Sequence, residues 1–113
     1  MMQNKVQLIT YADRITGQDI NALTTLLNGS LKGVFGGVHL LPFYNPIDGS
    51  DAGFDPIDHS EVDSRIGSWE DIKALGNNHD LMADLIVNHV SAQSFQFQDV
   101  LAKGKASEFW DLF

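Results

Sequence analysis

The chain has 113 residues, 43% of them apolar, and its seven Lys and Arg against fifteen Asp and Glu give a formal net charge of −8. This composition is typical of one globular domain and excludes a disordered chain, while the acidic balance without a basic cluster argues against nucleic-acid and anionic-membrane partners. Cysteine is absent and no apolar run reaches membrane-spanning length, so we expect a disulfide-free, cytoplasmic protein.

The first half of the chain predicts a strand, a helix and a second strand. β-Branched and aromatic residues over 6–12 predict the first strand. A helix follows, with Thr16 as its expected N-cap. Its apolar stripe, at three- and four-residue spacing, consists of Ile20, Leu23, Leu27 and Leu31. The second strand is predicted over 34–43.

The second half repeats this alternation after a long loop. Residues 44–68 show no periodicity, and a loop of that length inside a compact domain is usually functional. Ser68 is predicted to cap a second helix at 69–75, followed by a third strand at 81–91 and a third helix at 94–103. The alternation of strands and helices predicts an α/β fold with parallel strands and helical crossovers.

The stretch DLIVNH, residues 84–89, places polar side chains at the end of the third predicted strand. Side chains alternate along a strand, so Asn88 and His89 should face opposite ways, and Asp84 should lie at the other end of the strand. Sites in α/β proteins are built at the carboxyl ends of parallel strands, which makes His89 a candidate. A His that only closes the strand against a backbone carbonyl is an equally good interpretation.

Asp51 and Phe54 form a second candidate pair in the 44–68 loop. A carboxylate that accepts from two adjacent hydroxyls and a ring that covers an apolar sugar face suit a sugar site. Most loop aspartates, however, serve their own backbone turns. The four histidines match no zinc pattern and the Asp spacing fails the calcium-loop pattern, so we expect no metal and no cofactor.

Longer stretches are similar to a known family. "VQLITYADR", "GVHLLPFYNPIDGSDAGFDPIDHSEVD", "GSWEDIKAL" and "DLMADLIVNHVSAQSFQFQDVLAKG" together resemble the N-terminal part of the sucrose phosphorylases, in the α-amylase superfamily of (β/α)8-barrel enzymes. "DLIVNH" is typical of the superfamily. "DAGFDPIDH" is typical of the phosphorylases, including relatives acting on sucrose 6-phosphate or glucosylglycerate. The resemblance implies that 1–113 is an N-terminal fragment of the catalytic domain, with the first three βα units of an incomplete barrel and 44–68 as an active-site loop.

The resemblance also implies roles for three residues. Asp51 would hold the glucosyl 4-hydroxyl, Phe54 would form part of the apolar platform, and His89 would contact the 6-hydroxyl. The implied reaction is a retaining double displacement of sucrose by phosphate, giving α-glucose 1-phosphate and fructose. The family's nucleophile, acid/base and stabilising Asp follow the fourth, fifth and seventh strands, so we expect no catalytic residue here and an inactive chain. The alternative is a non-catalytic sugar-binding or interaction product.

Three parallel strands alone predict incomplete burial. They leave two unpaired edges and one sheet face without a covering layer. Each large apolar side chain left uncovered forgoes about 1.5–3 kcal/mol. We therefore expect marginal stability and self-association through the uncovered sheet.

Overall fold

A computed structural model describes residues 3–46 and 52–113. The strands are β1 Gln7–Thr10, β2 Gly37–Leu40, β3 Tyr44–Asn45, β4 Asp58–Val62 and β5 Asp80–Ala83. The α-helices are α1 Ile20–Asn28, α2 Trp69–Gly76 and α3 Phe95–Lys103, and two short 3-10 helices follow at Gly104–Ala106 and Trp110–Leu112. Strands β1, β2 and β5 form one parallel sheet with β2 in the middle, which confirms the predicted α/β class.

One face of this sheet carries the core. Val38 and Leu40 of β2 point to this face and are fully buried. Helices α1 and α2 pack against each other and supply the opposing apolar side chains. The core consists of Ala12, Ile20, Leu23, Leu27, Val38, Leu40, Phe43, Ile66, Ile72 and Leu75. The stripe of α1 is therefore buried as predicted, except that Leu31 follows the helix and is only partly buried.

The predicted N-cap is wrong for α1 and confirmed for α2. Asp19, rather than Thr16, caps α1, and its carboxylate accepts from the Ala22 N–H at 2.8 Å. Asp19 wins because it directly precedes the first helical residue, whereas the Thr16 hydroxyl accepts from a backbone N–H outside the helix. Ser68 caps α2 as predicted, and the reciprocal bonds with Asp71 complete a capping box.

The loop 44–68 is more regular than its sequence indicates. Strands β3 and β4 pair antiparallel within it, with a register shift between their two paired positions. The prediction of an irregular segment was wrong here because β4 reads DHSEV, a polar, half-exposed sequence without apolar alternation. This pairing places β4 beside the first residues of the loop.

The third strand of the sheet is shorter than predicted. β5 ends at Ala83, so the prediction of a strand through 81–91 was wrong beyond that residue. Leu85 is 84% exposed and Val87 78% exposed, whereas Ile86 is buried. β5 is an edge strand of the described sheet, and its neighbour β2 ends at Leu40, the partner of Ala83, so the ladder stops there. Apolar residues alone cannot distinguish a paired strand from an extended segment.

The second sheet face and α3 remain exposed in this chain. Ile9 of β1 is 63% exposed and Met82 of β5 47% exposed, on the face opposite the core. α3 buries none of its residues. The radius of gyration is 16.5 Å, above the roughly 13 Å expected of a compact domain this long. None of the helices in the described residues has the length and apolar character needed to cross a membrane.

Candidate functional site

The carboxyl ends of β1, β2 and β5 meet at one edge of the sheet because the three strands are parallel. Tyr11 follows β1, the 44–68 loop follows β2, and residues 84–91 follow β5. Polar side chains at this edge can converge although they are distant in sequence. We take this edge as the candidate site because two of the predicted site residues, His89 and Phe54, lie on it.

His89 contacts the loop directly. Its Nε2 donates to the backbone carbonyl of Phe54, and its Nδ1 lies 3.1 Å from Asn88 Oδ1. Both ring nitrogens thus face oxygen atoms. If the ring is neutral and donates from Nε2, its Nδ1 accepts, and the Asn88 side chain must then present its amide nitrogen to Nδ1 in place of Oδ1. If the ring is an imidazolium, both of its nitrogens donate to the facing oxygens. The ring is exposed, so a ligand could reach it. Because Nε2 already donates to the Phe54 carbonyl, a ligand hydroxyl at Nε2 would compete with that carbonyl.

A second tie fixes the same loop to β1. The Tyr11 hydroxyl donates to the Ala52 carbonyl at 2.7 Å. Ala52 and Gly53 both have positive φ, 56° and 88°, so the backbone turns sharply just before Phe54. The Ser91 N–H donates to the Pro56 carbonyl at 3.1 Å, a third connection. The loop therefore bridges the ends of β1 and β5.

Phe54 and Asp51 have different outcomes. Phe54 is half-buried and lies beside His89 through its backbone carbonyl. Asp51 lies outside the described residues, and its predicted role stays a prediction. The structure therefore brings together two of the three predicted residues, by a main-chain contact and not by two side chains aimed at a common ligand.

Asp84 is not where the sequence analysis expected it. It directly follows β5, so it lies at the carboxyl edge of the sheet and not at the far end of a strand. The physical reason is the early end of β5 at Ala83, which shifts the whole stretch DLIVNH beyond the ladder. Its Oδ2 lies 3.1 Å from His39 Nε2, and its backbone carbonyl accepts from the Tyr44 hydroxyl at 3.0 Å.

Asp84, His39 and Tyr44 form a polar cluster that links β2, β3 and the end of β5. The side chains of His39 and Asp84 are 21% and 24% exposed, so solvent screens this pair only in part. Burial, and secondly the negative charge of Asp84, raises the pKa of Tyr44 above its usual value. The cluster holds the start of the segment that carries His89. The cluster was not predicted because Asp84 lies 40 or more residues from both His39 and Tyr44 and the three residues match no motif.

Asp58 and His59, which belong to the same sequence stretch, have local contacts. The Asp58 carboxylate accepts from both the side-chain hydroxyl and the backbone N–H of Ser60, and these bonds lower the pKa of Asp58. The His59 ring lies 5.7 Å from the Tyr44 ring. Neither residue is placed toward His89 by these contacts.

A cavity of about 460 Å³ opens beside His89. Most of its lining is apolar, and Phe54 does not contribute to it. The lining residues are Val87, Asn88, His89, Val90, Ala92, Phe97, Leu112 and Phe113. No three His, Asp or Glu side chains within 3–46 and 52–113 are grouped to hold a metal ion. The chemistry that these described residues offer is hydrogen bonding and apolar contact.

The sequence of this chain is similar to those of several phosphorylases. The chain is 63% identical over 112 residues to the sucrose phosphorylase of Agrobacterium vitis, which matches 99% of this chain and 23% of that protein. It is 48% identical over 97 residues to the glucosylglycerate phosphorylase of Allomeiothermus silvanus, which matches 83% of this chain and 17% of that protein. No protein-family model matches.

Solved structures agree with the sequence relatives. The crystal structure of sucrose 6F-phosphate phosphorylase from Thermoanaerobacter thermosaccharolyticum superposes with a TM-score of 0.89 at 46% identity, over 98% of this chain and 22% of that one. The structural neighbours are (β/α)8-barrel enzymes of the α-amylase type. The chain matches the N-terminal part of these proteins and spans about a fifth of their length.

Proposed function

We propose that this chain supplies part of the glucosyl-binding site of a sucrose phosphorylase-like glucosyltransferase. The proposal rests on the similarity of nearly all of this chain to the N-terminal part of sucrose phosphorylase. The proposed reaction is a retaining double displacement, in which phosphate captures a glucosyl-enzyme and sucrose yields α-glucose 1-phosphate and fructose. The donor is sucrose or a related α-glucoside. The site of action is the cytoplasm.

The proposed roles are binding roles. Asp51 holds the glucosyl 4-hydroxyl, Phe54 forms part of the apolar platform under the ring, and His89 contacts the 6-hydroxyl. The nucleophile, the acid/base and the stabilising Asp lie outside the 113 residues, as the family pattern implies. The 113-residue chain by itself is therefore inactive in sucrose phosphorolysis.

The observation that carries this proposal is the convergence on the loop 52–56. Tyr11 after β1 and His89 after β5 both donate to carbonyls of this loop, at Ala52 and Phe54. A loop held from two strand ends keeps a fixed position at the edge of the sheet where α/β proteins bind ligands. The geometry at this edge and the similarity to sucrose phosphorylase both support the proposal.

We further propose that β1, β2 and β5, with the helix after each, are the first three βα units of a (β/α)8 barrel, and that 44–68 is its active-site loop. The exposure of Ile9 and Met82 supports this arrangement, because the uncovered face of a three-stranded piece is the face that a closed barrel fills with side chains.

A chimera tests the proposal directly. The matched N-terminal part of the Agrobacterium vitis sucrose phosphorylase is replaced by this chain, and fructose release from sucrose is measured with and without phosphate. We expect phosphate-dependent activity from the chimera and none from the 113-residue chain alone. Fructose release by the isolated chain would contradict the assignment of catalysis to residues elsewhere.

Substitutions in the chimera test the individual roles. Asp51→Ala and His89→Ala each remove a hydrogen bond to a sugar hydroxyl, and we expect kcat/KM to fall about 10- to 100-fold. Phe54→Ala removes apolar contact and should lower it less. Lys105→Gln, an exposed change in the 3-10 helix Gly104–Ala106, is the matched control. Unchanged kcat/KM in Asp51→Ala would remove Asp51 from the site.

A further inference from the structure

We propose that a second site, for a phosphate group, lies at the opposite end of the parallel sheet. A cavity of about 410 Å³ opens where the three strands begin. Six polar residues line it: Gln3, Lys5, Asn28, Lys32, Asn78 and His79. Nothing in the proposed sugar-binding role uses these residues, so this inference is independent of it.

The topology brings these residues together. Lys5 precedes β1, Lys32 precedes β2 and His79 precedes β5, so the parallel arrangement gathers all three at the amino edge of the sheet. Each strand has four residues, which separates this edge from the carboxyl edge by about 13 Å. The cavity and the His89 region thus lie at opposite ends of the same strands.

Backbone hydrogen bonds hold the walls of the cavity in place. The Gly36 N–H donates to Val6 O at 3.0 Å, and the Asp80 N–H donates to Gly36 O at 3.2 Å. The turn that carries Lys32 is fixed by a 3.0 Å bond from its N–H to Gly29 O, and Gly33 follows with a φ of +78°. The three chain segments are therefore positioned before any ligand arrives.

The His79 imidazole points to a missing partner. The residue is only 8% exposed, and its Nδ1 is buried without a hydrogen-bond partner among the described residues. A buried polar atom left unpaired costs about 1–3 kcal/mol, so such atoms in native proteins usually meet a ligand, an ion or a water. His79 also lines the cavity, so an open space adjoins the residue that carries this unpaired nitrogen.

The charges identify the class of ligand. The chain has seven Lys and Arg in total, and two of them line this one cavity. Lys103, Arg14 and Arg65 pair with carboxylates, whereas the four remaining lysines, which include Lys5 and Lys32, have no ion-pair partner among residues 3–46 and 52–113. Two ammonium groups and an imidazole suit a phosphate group, which carries about −1.5 to −2 charges near pH 7. A single carboxylate would neutralise only one lysine.

The acidic residue next to His79 in the chain does not oppose this assignment directly. Asp80 follows His79, but its Oδ2 accepts from the Gln3 N–H at 2.9 Å, and Asp80 is not among the residues that line the cavity. Its charge offsets part of the positive potential. We therefore expect binding of moderate strength, driven by both lysines together.

The test is a titration of the purified chain with inorganic phosphate, followed by NMR through the side-chain signals of His79 and the amides of Lys5 and Lys32. We expect saturable shifts confined to these residues. Lys5→Gln and Lys32→Gln should each weaken binding about tenfold. Lys105→Gln removes the same charge at a remote exposed position and should leave binding unchanged.

Further arms identify the phosphate source and exclude a mere ionic-strength effect. Glucose 1-phosphate that binds more tightly than inorganic phosphate identifies a phosphate ester as the ligand; equal or weaker binding identifies the free ion. The same shifts in sodium chloride at matched ionic strength would overturn the proposal. So would the absence of saturable shifts up to about 10 mM phosphate, or wild-type binding by Lys32→Gln. The two lysine variants change exposed side chains, so we expect them to fold normally. A substitution of the buried His79 is avoided because it could disturb the fold.

Discussion

Helices α1 and α3 are both nine residues long, and both begin at a side-chain cap, yet they differ in what they bury. α1 buries Ile20, Leu23 and Leu27 against the sheet and α2. No residue of α3 is fully buried, and its Phe95 and Leu101 are 67% and 64% exposed. Good local signals therefore suffice to form a helix here without providing a core for it.

The difference follows from the position of each helix relative to the sheet. α1 connects β1 to its neighbour β2 and so crosses over a sheet face that already exists. α3 follows β5, and within residues 3–46 and 52–113 no further strand lies beyond β5 for this helix to pack on. The aromatic rings of α3 instead contact residues that follow it, such as Phe113 against Phe97 at 5.4 Å. A helical stripe stabilises only when a complementary surface is present.

The largest expected contrast comes from truncating one leucine in each helix. Leu23→Ala leaves a cavity in the fully buried core, and we expect it to lower the free energy of unfolding by about 2–5 kcal/mol. Leu101→Ala removes an exposed side chain and should change it by no more than about 0.5 kcal/mol. Urea denaturation followed by circular dichroism measures both. Equal losses would show that α3 belongs to the cooperative core after all.

The next effect concerns the uncovered apolar surface. We expect the chain to self-associate at high concentration through the uncovered sheet face and through the exposed apolar residues after β5, of which Leu85 is 84% exposed. Burial of one such leucine in a contact is worth about 1.5–3 kcal/mol, so Leu85→Lys should weaken association about 10- to 100-fold. Sedimentation velocity over a concentration series is the measurement. A wild-type chain that stays monomeric throughout would refute this expectation.

The caps provide a smaller, matched comparison. Ser68→Ala removes the capping box of α2 and should lower the free energy of unfolding by about 1 kcal/mol. Ser94→Ala removes the equivalent bond at α3, but we expect faster amide hydrogen exchange within α3 and little shift of the urea midpoint, because this helix adds little to the core. A clear midpoint shift in Ser94→Ala would make α3 as important to global stability as α2.

The smallest effect lies in alkaline solution. The pKa of Tyr44 is raised in the folded state, so the neutral phenol contributes stability that is fully present below the ordinary Tyr pKa of about 10 and is lost as pH rises through the raised value. Tyr44→Phe should remove this loss of stability above about pH 10. Urea unfolding at pH 8 and above pH 10, with absorbance at 295 nm, measures it. An identical alkaline decline in Tyr44→Phe would exclude Tyr44 as its source.

Local chemistry explains which fold predictions held. Ser68 with Asp71 at the third helical position is a short-range signal, and α2 begins where it indicates. Thr16 failed as a cap because Asp19 offers the same chemistry nearer the buried Ile20. The polar strand β4 gave no apolar alternation, so its pairing with Tyr44–Asn45 was not predictable from either segment alone. Signals within four residues, and the alternation of strands and helices, could be read from the sequence, whereas the pairing of these two polar segments could not.

The candidate site shows the same division. The resemblance predicted Phe54 and His89 as members of one site, and the structure joins them through the Phe54 carbonyl. Their contact depends on the loop turning back to the end of β5, a long-range event that no local pattern encodes. The Asp84 contact with His39 was missed for this reason, and Asp84 was placed at the wrong end of its strand because nothing in DLIVNH shows where the ladder stops.

The alternation of strands and helices, the buried stripe of α1, the cap of α2 and the similarity to sucrose phosphorylase could all be read from the residues alone, because each depends on residue types at short or contiguous spacing. The end of β5, the side chains that meet at each edge of the sheet and the exposure of α3 became visible in the folded chain. These outcomes depend on which strand has a neighbour, and that is a property of the assembled sheet.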